Sequence, residues 1–163
     1  MKKGIFVCAL SALMLAGCMP PAIQQPTSLQ IESFQTKQFD ASKTTAFNSV
    51  LSVFQDLGYI VQSASKDTGF ITATSPTKNK TGFLDAMAGV AASGQTRATA
   101  FVEEIRPGHT QIRLNFVSTQ HNSSTYGQNQ EQDKPILDPK IYQVAFDKIG
   151  NAIFVRQGTK GKD

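Results

Sequence analysis

The chain has 163 residues, 40% of them hydrophobic, and a formal charge of +4. That is one domain's length with enough apolar content for a core. Lys2 and Lys3 supply half of the net charge. The densest basic pairs elsewhere, Lys78 with Lys80 and Lys160 with Lys162, are too sparse for a nucleic-acid surface. The two cysteines are Cys8 and Cys18, both near the N-terminus, which excludes a disulfide framework or sulfur-bound zinc in the body of the chain.

Lys2 and Lys3 precede an apolar run over residues 4–14. The run is shorter than the ~20 residues needed to cross a bilayer, so residues 1–17 read as a cleaved export signal. Leu15-Ala16-Gly17-Cys18 follows directly. Residues 18–28 contain Pro20, Pro21 and Pro26 and read as an extended tether. In the polyproline form, ten residues reach about 30 Å.

A single domain is expected over residues 29–157. Residues 29–39 alternate in part and read as a first strand. A helix follows over residues 42–57, with Phe47, Val50, Leu51 and Phe54 as its apolar stripe. Asp40 or Ser42 suits its start and Gly58 its end. Residues 59–65 and 70–75 read as two strands joined by Asp67-Thr68-Gly69. Residues 77–96 form an irregular apolar insertion containing Phe83, Leu84 and Met87. Residues 97–105 and 110–118 form a hairpin around Pro107-Gly108. In its second strand Ile112, Leu114 and Phe116 alternate with polar residues. Residues 120–134 read as a polar loop. Asp138-Pro139 starts a second helix, with Tyr142, Phe146, Ile149 and Ile153 as its stripe. Residues 158–163 read as a frayed tail. This order fits an α+β fold: an antiparallel sheet of about five strands with two helices packed on one face. Ala98, Ala100 and Val102 would face the helices.

Leu15-Ala16-Gly17-Cys18, after that charge and apolar run, resembles the lipobox of bacterial lipoproteins. The resemblance implies a diacylglyceryl group on Cys18, cleavage before it and acylation of the new amine. Met19 stands where an Asp would hold an enterobacterial lipoprotein at the inner membrane, so the resemblance implies a cell-envelope protein of the outer membrane, facing the periplasm. Phe39-Asp40, Gln55-Asp56-Leu57-Gly58-Tyr59-Ile60 and Asp67-Thr68-Gly69-Phe70-Ile71 resemble a group of proteobacterial lipoproteins. The element order is similar to the helix-grip domains of the outer-membrane assembly lipoprotein BamC. This implies a helix-grip-like fold and a non-catalytic accessory role, and carries over no site residue.

Residues with catalytic potential are scattered. Asp67-Thr68-Gly69 matches the core triplet of aspartic proteases, but occurs once, and such sites need two carboxylates; a strand turn accounts for it. His109 lies in a hairpin turn and His121 opens the polar loop, neither at metal-ligand spacing. Glu103 and Glu104 point to opposite faces of a strand. The chain lacks a phosphate-binding glycine loop and a nucleophile elbow. No catalytic residue, metal or cofactor is expected.

Two surfaces remain. With Ala98, Ala100 and Val102 facing inward, Arg97, Thr99, Phe101 and Glu103 face outward, joined by Arg113 and Asn115. Aromatic residues and arginine suit a protein partner. The apolar insertion, through Phe83, Leu84 and Met87, offers a second contact. The function expected is a non-enzymatic, lipid-anchored accessory subunit that binds another envelope protein. The alternative is a binding module for a small apolar ligand or lipid.

Overall fold

The computed structural model describes residues 26–75, 94–123 and 129–160. The leader, Cys18 and most of the tether lie outside them, as do Phe83, Leu84 and Met87. The described chain runs α1 (Ser28–Gln35), β1 (Thr36–Phe39), α2 (Lys43–Asp56), β2 (Ile60–Ser65), β3 (Phe70–Thr74), β4 (Gly94–Arg106), β5 (His109–Ser123), β6 (Asn129–Pro135) and α3 (Pro139–Lys160). It is the expected α+β arrangement, with six antiparallel strands among the described residues where about five were expected and three helices where two were.

The sheet order is β2-β3-β4-β5, with β1 and β6 sharing the far edge of β5. β1 pairs with residues 110–113 of β5 and β6 with residues 117–123. Register places Ile71, Ala100 and Leu114 in one row, Ala73, Ala98 and Phe116 in the next, and Val102 opposite Ile112. All eight are buried, so they form the inner face. α2 covers it with Phe47, Val50 and Phe54, and α3 with Tyr142, Ile149 and Ile153. The alanines of β4 let α2 lie close over the sheet, as the sequence indicated.

Local chemistry sets the ends of α2. Ser42 Oγ accepts from Thr45 N–H at 3.3 Å, and Gly58 follows the last turn with φ +80°. Gly58 N–H donates to Gln55 O and Tyr59 N–H to Phe54 O, both at 2.9 Å. These are the paired bonds of a glycine-terminated helix.

Two expectations are corrected. Residues 29–39 are not one strand, since α1 takes Ser28–Gln35 and only Thr36–Phe39 extend. The cause is a capping box: Gln30 N–H donates to Thr27 Oγ1 while Gln30 Oε1 accepts from Thr27 N–H. Leu29, whose alternation suggested a strand, is 78% exposed. The polar loop is the second correction. β5 continues to Ser123, and β6 returns along it from Asn129, because ladder bonds come from the backbone and do not require apolar side chains. The strand after the insertion also starts at Gly94, and the last helix passes Gly158 to reach Lys160.

Candidate binding face

Among the described residues, no helix lies on the other face of the sheet. Register builds it in rows: Phe70 opposite Phe101, which lies opposite Arg113 and then Thr36. The next row holds Thr72, Thr99 and Asn115, and the next Thr74, Arg97 and Val117. The expected outward set of Arg97, Phe101 and Arg113 therefore shares one face. Phe101 and Arg113 are cross-strand neighbours. Arg97 lies four residues along β4 from Phe101, about 13 Å at strand rise.

Phe70 and Phe101 form a tilted aromatic pair with ring centroids 4.7 Å apart. Phe101 is half-buried, whereas Phe70 is 57% exposed. Phe70 is the member that sequence reading missed; its place opposite Phe101 is set by the β3–β4 register, which the chain does not show. Around the rings sit hydroxyls and amides, giving a flat apolar centre with a hydrogen-bonding border.

Each arginine already has a carboxylate. Arg113 Nη2 donates to Glu32 Oε1 of α1 at 2.7 Å. Arg97 Nη1 lies 3.7 Å from Asp133 Oδ2 of β6, and the other oxygen of that carboxylate accepts from Thr119 Oγ1 at 2.6 Å. Each guanidinium thus has one carboxylate contact at the surface, and such pairs add little stability. Glu32 and Asp133 were not legible as partners, because they come from segments read as strand and loop.

Elsewhere, His109 Nδ1 and Asp40 Oδ1 lie 2.7 Å apart, a pairing across 69 positions that spacing in the chain does not show. Gln157 Nε2 donates to Asp40 O at 2.7 Å, so the contact ties the β4–β5 turn, the start of α2 and the end of α3 together. Among the described residues, no hydroxyl or thiol is hydrogen-bonded to His109, and no cluster of His, Cys, Asp or Glu is placed to hold a metal. The Asp67-Thr68-Gly69 triplet is a turn. Gly69 has φ +82°, and a Cβ there would lie 2.1 Å from Val102 O, so glycine is required for the β2–β3 turn to approach β4. The described helices include none long and apolar enough to cross a membrane.

No family model matches the chain, and no curated protein matches it.

Proposed function

We propose that the chain is a non-enzymatic lipoprotein, anchored in the outer membrane through Cys18, whose periplasmic domain binds another envelope protein through the sheet face opposite α2 and α3. The lipobox residues support the location. The observation that carries the binding role is the row Phe70–Phe101–Arg113, an aromatic pair whose outer member, Phe70, is exposed, beside a guanidinium paired with Glu32. Aromatic side chains bury large area with little loss of side-chain freedom, and arginine is enriched in protein-binding hot spots. Lipidation confines the domain to one surface and raises the effective concentration of neighbours there, so modest intrinsic affinity suffices. An apolar-ligand pocket would draw its walls from the interior phenylalanines, but Phe47, Phe54 and Phe116 are buried in the core itself.

The test is in-cell crosslinking of the full lipoprotein followed by mass spectrometry. A discrete envelope partner is expected. Capture should be lost in Cys18→Ala and weakened in Phe101→Ala/Arg113→Ala. Because Arg113 also holds Glu32, Phe70→Ala serves as a second variant, and thermal melting checks that each is folded. Unchanged capture in all face variants would sink the sheet-face reading.

A further inference from the structure

We draw no further inference here: the strongest candidate, the outer edge of β2 with its exposed Ile60, carries nothing because nothing among the described residues shows what covers it.

Discussion

Tyr142 is fully buried and yet polar at its tip. Its hydroxyl donates to Ile136 O at 2.8 Å and accepts from Phe116 N–H at 3.4 Å and Gln35 Nε2 at 3.3 Å. The reason lies in the sheet edge. β1 and β6 leave a gap along β5, and Phe116 falls in it. Ile136 N–H takes its carbonyl, and the tyrosine takes its amide. Tyr142→Phe should therefore cost about 1–2 kcal/mol in urea unfolding, because buried groups lose their partner. Burial raises the pKa of this phenol, opposed by the bonds from Gln35 and Phe116. Its contribution to stability is complete below the unfolded-state value of about 10 and is lost as pH rises through the higher folded-state value. Alkaline titration of stability should show that loss in the parent chain and a smaller one in Tyr142→Phe. Gly69 is the second critical position. Gly69→Ala meets both a left-handed backbone and the Val102 carbonyl, and should lose more than about 2 kcal/mol by thermal or urea melting.

At the scale of elements, α2 and α3 were legible because their apolar stripes repeat with helical period and their caps are local. α1 shows the opposite case. It has eight residues and none is buried, too short to persist alone. Its capping box was present in Thr27 and Gln30, but the partial alternation of residues 29–39 masked it. What holds it is tertiary: Phe34 against Tyr142 and Glu32 against Arg113. Phe34→Ala should speed amide exchange across Ser28–Gln35 while leaving α2 and β4 protected. Ala100 lies at the contact of sheet and helices, where 1% of its surface is exposed. Ala100→Leu should cost about 1–3 kcal/mol in denaturant unfolding, because the added volume pushes α2 off the sheet.

Across the whole molecule, the sheet presents its aromatic row on one side and packs against α2 and α3 on the other. On the proposed anchoring through Cys18, Cys18→Ser should move the protein from the membrane to the soluble fraction; a variant recovered unchanged with the membrane would overturn it. The outward direction of Arg97, Phe101 and Arg113 could be read from the chain, because strand alternation follows from backbone geometry and the small inward residues of β4 mark the covered side. α2, α3 and the turns at Asp67-Thr68-Gly69 and Pro107-Gly108 were legible for the same reason: each depends on neighbours within a few positions. Tertiary structure alone decided the partners. The meeting of Phe70 with Phe101, the carboxylates that hold both arginines, the His109–Asp40 contact and the role of Tyr142 at the gap in the sheet edge all join residues far apart in the chain. No local period encodes such pairings; they exist because burial of one inner face brings those segments together.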